Sequence, residues 1–463
     1  MTTDATTQLT ELTHLISEKR APVAVIGLGY VGLSVAGMLA RCGFAVMGVD
    51  INMARIAALQ AGRSPMEGEE PGFEELITEV TASGRLNVTA DYDGVRGARV
   101  VIICVDTPVE EETHLPVYKA LRGALASLGP VLEPGALVIV ESTIAPGTMT
   151  TLVIPTLEAS TGMQAGEDFY LGHCPERVTP GKLLYNLTHL SRTVGGQTPD
   201  VAAAMVTLYT HYVEGDLDTT DLLSAEIVKT AENAFRDVQI AFANELAIIC
   251  ETLGADAFEV RELVNKSPGR NVLMPGAGVG GHCIPKDPWL LIANVRAQYE
   301  PLLIPAARAV NNQMPYRMVE LTRQGLAAHG VELAGARIAV LGYAFREGTD
   351  DDRDSPSQYL IAALEAEGAL PVVHDPYVRA YQVPLEAVVS GAQAVVLMVG
   401  HAAYRELDLA ALLAVVALPV LIDGRHIFTA ADARAHGFTY LGVGTPQAKS
   451  DHAHSGSDAV LRS

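Results

Sequence analysis

Apolar residues arrive in short unbroken runs towards both ends of the chain, separated by a middle third with helical spacing. Residues 23–26 (Val-Ala-Val-Ile) read as a buried parallel strand entering a glycine turn. Residues 30–41 read as a helix, and 45–49 as a second strand ending at Asp50. Further strand-like runs follow at 99–105 and 136–141. From about 221 to 254 the period changes. Leu222, Ile227, Ala231, Phe235, Val238, Phe242, Leu246 and Ile249 keep helical spacing with no internal glycine or proline, which predicts one long helix ending near Gly254. More helix is expected to about 325, interrupted by a loop at 267–288.

A second alternation of strands and helices starts at Arg337, with strands expected at 337–341, 371–374, 393–399 and 418–422. Its first turn, Leu-Gly-Tyr-Ala-Phe-Arg, lacks the full glycine pattern of a dinucleotide site. The expected fold class is α/β: two Rossmann-like, doubly wound parallel sheets joined by a central helical domain with one long helix. A helix of that length usually joins domains or forms a subunit interface.

Composition narrows the function classes. The chain has 463 residues, 49% hydrophobic, so more than one core is expected. Its formal net charge of −22 disfavours nucleic acid and anionic membrane as partners. Five cysteines, widely spaced, without a C-x-x-C pair, suggest neither a disulfide scaffold nor a metal site, so no metal is expected. Residues 1–20 lack the apolar stretch of a signal peptide, and no apolar run reaches membrane-spanning length, so the cytoplasm is the expected compartment.

Gly27, Gly29 and Gly32 form G-x-G-x-x-G between a strand and a helix. The first allows a tight turn, the second lets backbone approach a pyrophosphate, and the third lets helix and strand pack. Asp50, at the end of the second strand, can bind both ribose hydroxyls and repel a 2′-phosphate, favouring NAD. Arg55 can reach the adenosine phosphate, or undo that preference. Thr107-Pro108 and Ser142-Thr143 lie at the carboxyl ends of expected strands, where ligands bind in open α/β sheets. They also suit ordinary loop turns.

Cys283 follows Gly276, Gly278, Gly280 and Gly281, with Asp287 four residues on. A thiol on a glycine-rich loop suggests a nucleophile that can hold an aldehyde while it is oxidised again. A buried structural thiol is the bland alternative, and it is the reading for Cys42, Cys104, Cys174 and Cys250. Lys229 lies one helical turn before Asn233, where an ammonium can stabilise an oxyanion. It can equally be a surface lysine paired with Glu226 or Glu232. Glu176 can act as a base on water, or form an exposed pair with Arg177.

These residues together resemble the UDP-glucose/GDP-mannose dehydrogenase family over about residues 20–445. The resemblance rests on Gly-Leu-Gly-Tyr-Val-Gly-Leu at 27–33, Asp-Ile-Asn-x-x-Arg at 50–55 and Ser-Thr-Ile-Ala-Pro-Gly-Thr at 142–148. It also rests on Cys-Pro-Glu-Arg-Val at 174–178, Gly-Gly-His-Cys-Ile-Pro-Lys-Asp-Pro at 280–288 and Asp-Gly-Arg at 423–425. Within that family, 174–178, 232–246 and the cysteine loop running into Pro288-Trp289 look most like enzymes that oxidise UDP-N-acetyl-D-mannosamine. UDP-N-acetylglucosamine and UDP-glucose 6-dehydrogenases are the alternatives, a two-electron hydroxyacid dehydrogenase a more distant one, and a non-catalytic nucleotide sensor the last.

After an expected N-terminal extension at 1–20, the resemblance implies an NAD-binding domain at 21–215 and a central helical dimerisation domain at 216–330. A UDP-sugar-binding domain at 331–446 completes that division, and the polar stretch 447–463, rich in Ser, His and Asp, is expected from its composition to be a disordered tail. Tyr30 and Val31 join the glycines, Asp50, Arg55, Thr107, Pro108 and Thr143 in holding NAD. The resemblance makes Cys283 the nucleophile, places Lys229, Asn233 and Asp287 around the reacting oxygen, and gives Glu176 and Thr143 the hydrolytic water. Arg177, Gly280, Phe345, Arg346 and Arg425 would bind the UDP-sugar, with Arg270 lent across a homodimer interface. Arg346 stands where the family usually has lysine, which keeps the charge but changes the geometry.

Overall fold

The apolar runs become the central strands of two sheets. In the computed structural model, which describes residues 5–66, 70–178 and 181–446, eight strands form the first sheet. They are Val23–Ile26 (β1), Val46–Val49 (β2), Leu86–Thr89 (β3), Val100–Ile103 (β4), Leu137–Val140 (β5), Tyr170–His173 (β6), Arg192–Gly196 (β7) and Leu217–Asp221 (β8). Their order is β3-β2-β1-β4-β5-β6-β7-β8, whose first six positions are the dinucleotide-binding arrangement. Alternate residues supply opposite faces: Val23, Val25, Val100 and Ile102 enter one core, and Ala24, Ile26, Val101 and Ile103 the other.

The sheet is not parallel throughout. β7 runs antiparallel to β6, with Gly172 opposite Gly196 and His173 opposite Gly195, and β8 follows β7 in parallel. An antiparallel neighbour needs no right-handed crossover, so the chain can return beside β6 after residues 174–191. A helix over Ala5–Ser17 (α1) buries Leu9, Leu12 and Ile16 in the first core, so much of the stretch read as an N-terminal extension is part of the fold. Tyr30–Cys42 forms α2, ended by Gly43 in the left-handed region.

The long helix runs over Leu222–Leu253 (α3), and Gly254 follows it at φ 80°. A second long helix spans Leu303–Ala327 (α4). Arg337–Leu341 (β9), Leu370–His374 (β10), Ala394–Leu397 (β11), Val420–Asp423 (β12) and Thr439–Gly442 (β13) form a five-stranded parallel sheet ordered β10-β9-β11-β12-β13. This is the other doubly wound order, with its switch point between β9 and β11. The chain divides into two compact units. One holds residues up to Phe235 with Cys283–Pro305; the other holds Arg236–His282 and the chain from Ala306 on. The region 447–463, read as a disordered tail, lies outside the described residues.

Candidate active site

In the first unit, β1 runs into Gly27 at φ 88°, and α2 starts at Tyr30 with Val31 behind it. A Cβ on Gly27 would meet the Cys104 carbonyl oxygen at 2.5 Å, and one on Gly32 would overlap the Gly27 carbonyl. At Gly29 a Cβ would meet nothing within 4 Å. Strand, turn and helix therefore touch without side chains, and open space faces the helix start, where backbone N–H groups attract phosphate. The buried Asp50 carboxylate accepts from the Leu28 N–H at 2.7 Å and the Asn52 N–H at 2.8 Å. Arg55 lies 2.7 Å from the same carboxylate and balances its charge. These residues fit a dinucleotide with its pyrophosphate at the turn and a ribose at Asp50.

The ends of β4 and β5 are clipped together. The Thr107 hydroxyl donates to the Thr143 carbonyl at 2.6 Å, and the Ser142 hydroxyl donates to the Val105 carbonyl at 2.6 Å. Pro108 follows and opens a short bridge between Val109 and Pro116. Beyond Thr143, the Gly147 and Met149 N–H groups each donate to Glu226 on α3 at 2.7 Å. Burial pushes the Glu226 carboxyl up to about 7 against those donors.

The cysteine loop meets α3 within the same unit. The Asn233 amide donates to Asp287 at 2.5 Å, and the Lys286 ammonium lies 2.8 Å from the other oxygen of that buried carboxylate. The Asp287 and Lys286 N–H groups donate to the Cys283 carbonyl at 2.9 and 3.2 Å. Cys283 is exposed, whereas Cys174 and Cys250 are buried and Cys42 and Cys104 half-buried. Burial raises the Cys42, Cys104, Cys174 and Cys250 thiols, Cys174 to about 12, which disfavours thiolate chemistry at all four. Two residues past Asp287, Trp289 stacks on His114 at 4.0 Å, with the Arg296 guanidinium 5.5 Å from its ring.

Lys229 is only 8% exposed. Both acids that would make it an ordinary surface pair are engaged elsewhere. Glu226 holds the 147–149 backbone, and Glu232 takes Arg177 at 2.6 Å. Among the described residues Lys229 has no ion pair.

Glu176 and Arg177 do not form an exposed pair. Arg177 donates to Glu232, the Ser191 carbonyl at 2.7 Å and the Thr193 hydroxyl at 3.1 Å. Glu176 is buried, accepts from the Val178 N–H, and lies 3.8 Å from Arg192. Arg192 is also 3.7 Å from Glu141, which accepts from the Tyr209 hydroxyl at 2.6 Å. Sequence reasoning passed over Glu141 and Arg192. Glu141 directly precedes Ser142-Thr143, a usable signal, but Arg192 opens a strand whose Gly195-Gly196 end hides its character.

In the second unit, the glycine loop lies on the turn after β9. A Cβ on Gly280 would sit 2.8 Å from the Phe345 Cβ, and one on Gly281 2.8 Å from its ring. Arg346 and Arg270 are exposed, and the Arg270 guanidinium donates to the Pro268 carbonyl at 2.8 Å. Arg425, after β12, donates to the Met398 carbonyl at 2.7 Å, and a Cβ on Gly276 would lie 2.9 Å from its guanidinium. A buried chain fixes that glycine: Gly276 N–H to Asn244, Asn244 to Asn311, and Asn311 with Arg308 to Asp237, at 2.6–2.9 Å. Asp375 ends β10 as Asp50 ends β2, and accepts from the Tyr343 and Ala344 N–H groups at 2.6 and 2.9 Å. It also takes Tyr377, Val378 and His401, so its lone pairs are used within the protein. The His401 Nδ1 accepts from the Gly348 N–H at 3.1 Å, which leaves the hydrogen on Nε2 to donate to Asp375. This sheet keeps the acid of a nucleotide fold but not its free acceptor.

Among the described residues no group of three or more His, Cys, Asp or Glu side chains is placed to hold a metal ion, and no helix is long and apolar enough to cross a membrane.

Comparison with known proteins assigns these parts. Residues 21–213 match the NAD binding domain of the UDP-glucose/GDP-mannose dehydrogenase family, 223–313 its central domain and 339–430 its UDP binding domain. The UDP-N-acetyl-D-mannosamine dehydrogenase of Pyrococcus horikoshii is 38% identical over 91% of this chain and 99% of its own length, and its structure superposes with a TM-score of 0.86. The NDP-N-acetyl-D-galactosaminuronic acid dehydrogenase of Methanosarcina mazei is 37% identical, covering 95% of this chain and 98% of that one, with a TM-score of 0.83. The UDP-N-acetyl-mannosamine dehydrogenase of Staphylococcus aureus is 35% identical, with coverage of 92% and 98% and a TM-score of 0.80. The cofactor is NAD, the second sheet belongs to a UDP-binding domain, and the chain is a member of the UDP-glucose/GDP-mannose dehydrogenase family.

Proposed function

We propose that this chain oxidises the C6 hydroxyl of UDP-N-acetyl-D-mannosamine to the uronate, with Cys283 carrying the half-oxidised sugar. The observation that carries this reading is an exposed thiol on a turn closed by a buried Asp287, itself held by Asn233 and Lys286. Bound at Gly27, Gly29, Tyr30, Val31 and Gly32, with Asp50, Arg55, Thr107, Pro108 and Thr143 around it, NAD supplies the hydride acceptor for each of two oxidations. The Cys283 sulfur adds to the C6 aldehyde carbon to give a thiohemiacetal, whose oxidation leaves a thioester. Lys229 and Asp287 stabilise the oxygen charge and move its protons, while Asn233 fixes Asp287. Glu176, with Thr143, takes a proton from water as that water's oxygen attacks the thioester carbon; the C–S bond then breaks and sulfur leaves as thiolate.

Arg177, Gly280, Phe345, Arg346 and Arg425 bind the nucleotide sugar in this reading, and Arg270 comes from a second copy. A homodimer is supported by α3. Phe235, Phe242 and Ile249 repeat every seven residues along one face and are 65%, 56% and 49% exposed. An apolar row of that kind needs a partner. The reading places the enzyme in the cytoplasm, where nucleotide sugars and NAD are at hand.

The likeness to the Methanosarcina mazei protein favours a second reading, a substrate of N-acetylgalactosamine configuration. Parallel assays with NAD and UDP-N-acetylmannosamine, UDP-N-acetylgalactosamine, UDP-N-acetylglucosamine and UDP-glucose separate the candidates. Two NADH per UDP-N-acetylmannosamine, and no uronate from Cys283→Ala, are expected. One NADH per sugar would instead mark a two-electron dehydrogenase, and binding without turnover a sensor.

A further inference from the structure

The reversal of direction between β6 and β7 has a chemical result. In an antiparallel pair with Gly172 opposite Gly196 and His173 opposite Gly195, each step beyond β6 matches a step back along β7. Position 176 then falls opposite 192. The Arg192 guanidinium is in fact 3.8 Å from Glu176 and 3.7 Å from Glu141. A parallel strand in the same place would carry its first residue to the other end of the sheet.

All three charged groups are buried: Arg192 is 3% exposed, Glu141 2% and Glu176 8%. The groups facing the guanidinium come from every neighbouring element. They are Cys104 after β4, Glu141 after β5, Cys174 and Glu176 after β6, and Tyr209 and Tyr212 from the helix after β7 and its end. The guanidinium lies 5.1 Å from the Tyr209 ring and 5.4 Å from the Tyr212 ring. Neither Nη1 nor Nη2 has an acceptor within hydrogen-bonding distance among the described residues. The cation therefore acts on both carboxylates by charge through a buried, low-dielectric surrounding, where such attraction is stronger than in water. The two carboxylates are not alike. Glu141 is pushed up to about 7, by burial first and despite Arg192 and the Tyr209 hydroxyl.

We propose that Arg192 is the positioning residue of the hydrolytic step, holding Glu176 as the carboxylate that takes a proton from water. This rests on the reading of Glu176 as that base. Without the cation, a buried carboxyl keeps its proton to higher pH and can accept none from water.

The experiment is a single turnover of the full-length protein with NAD and UDP-N-acetylmannosamine from pH 5.5 to 9. NADH is read by absorbance and uronate by chromatography in the same samples. Arg192→Met is expected to move the acid limb of uronate release up by at least one pH unit. That is a tenfold or greater loss at pH values below both limbs. The limb of the first NADH formation should stay where it was. Arg192→Lys, which keeps the charge without the fork, should recover part of the shift. Should Arg192→Met fail to fold with two unpaired acids inside, the double variant Arg192→Met/Glu141→Gln removes both charges together, and its limb is expected to lie above that of Glu141→Gln alone, the parent against which it is read. An unmoved limb in a folded variant lacking Arg192 would overturn the inference, as would equal loss in both half-reactions without change of profile. Glu176→Gln separates the two readings. If it releases uronate normally, the assignment of Glu176 fails, and this inference with it. If it blocks release while loss of Arg192 leaves the profile untouched, only the inference about Arg192 fails.

Discussion

Glu226 offers a sharp test of how the loop after β5 is held. Its carboxylate accepts two backbone N–H groups from the loop after β5, at 2.7 Å each, yet burial pushes its titration from 4.5 up to about 7. In the unfolded chain the proton leaves near 4.5; in the fold it stays until about 7. Between those values the folded state binds more protons, so stability falls as pH rises through the window and the loss is complete above it. The free energy separating the two titrations is about 3 kcal/mol. Glu226→Gln removes that dependence but sets an amide N–H against a backbone N–H, at a cost of about 1–3 kcal/mol. The variant is therefore expected to be less stable than wild type at pH 5 and to gain by about 3 kcal/mol relative to it by pH 8. Urea unfolding of both proteins at pH 5, 6, 7 and 8, compared pairwise, measures this, and titrating groups common to both, Glu141 included, cancel. A stability difference constant from pH 5 to 8 would refute the assignment of a raised carboxyl at this position.

Lys229→Ala should lower kcat by about 10²–10³, the effect of one lost oxyanion donor, with KM for NAD unchanged; steady-state kinetics on the sugar would show it. Gly29→Ala should fold normally, since a Cβ there meets nothing within 4 Å, and weaken NAD binding at least tenfold by calorimetry. Gly32→Ala should instead lower the melting temperature, because its Cβ would overlap the Gly27 carbonyl. Phe242→Glu should shift the protein to monomer in sedimentation; a dimer that persists would move the interface away from this face of α3.

The readable parts of the sequence were those where one physical demand dominates. β1, β4 and β5 are apolar on both faces, and the glycine turn after β1 follows from contacts no side chain could survive. α3 was visible from spacing, but periodicity cannot tell a face packed inside from the row of Phe235, Phe242 and Ile249 left outside. β8 is Leu-Asp-Thr-Thr-Asp, a polar strand at the sheet edge, and β7 begins with arginine and ends in two glycines. Neither carries an apolar signature, so the antiparallel turn, and with it the meeting of Arg192 and Glu176, was out of reach. At α1, Leu9, Leu12 and Ile16 do keep helical spacing, but the surrounding polar residues masked it. For Lys229 the sequence left a surface pair open; the alternative falls only because Glu226 and Glu232 are bound to other groups.

Trp289 is the only tryptophan in the chain. Its indole lies flat on His114, on the short loop after Pro108, and it belongs to the segment that begins at Cys283. Emission excited near 295 nm therefore comes from a single site joining the Cys283 segment to the loop after Pro108. The unlabelled enzyme carries its own lamp at the place where arrival of NAD, or its replacement in mid-reaction, should be felt, and stopped-flow fluorescence could watch each exchange in real time.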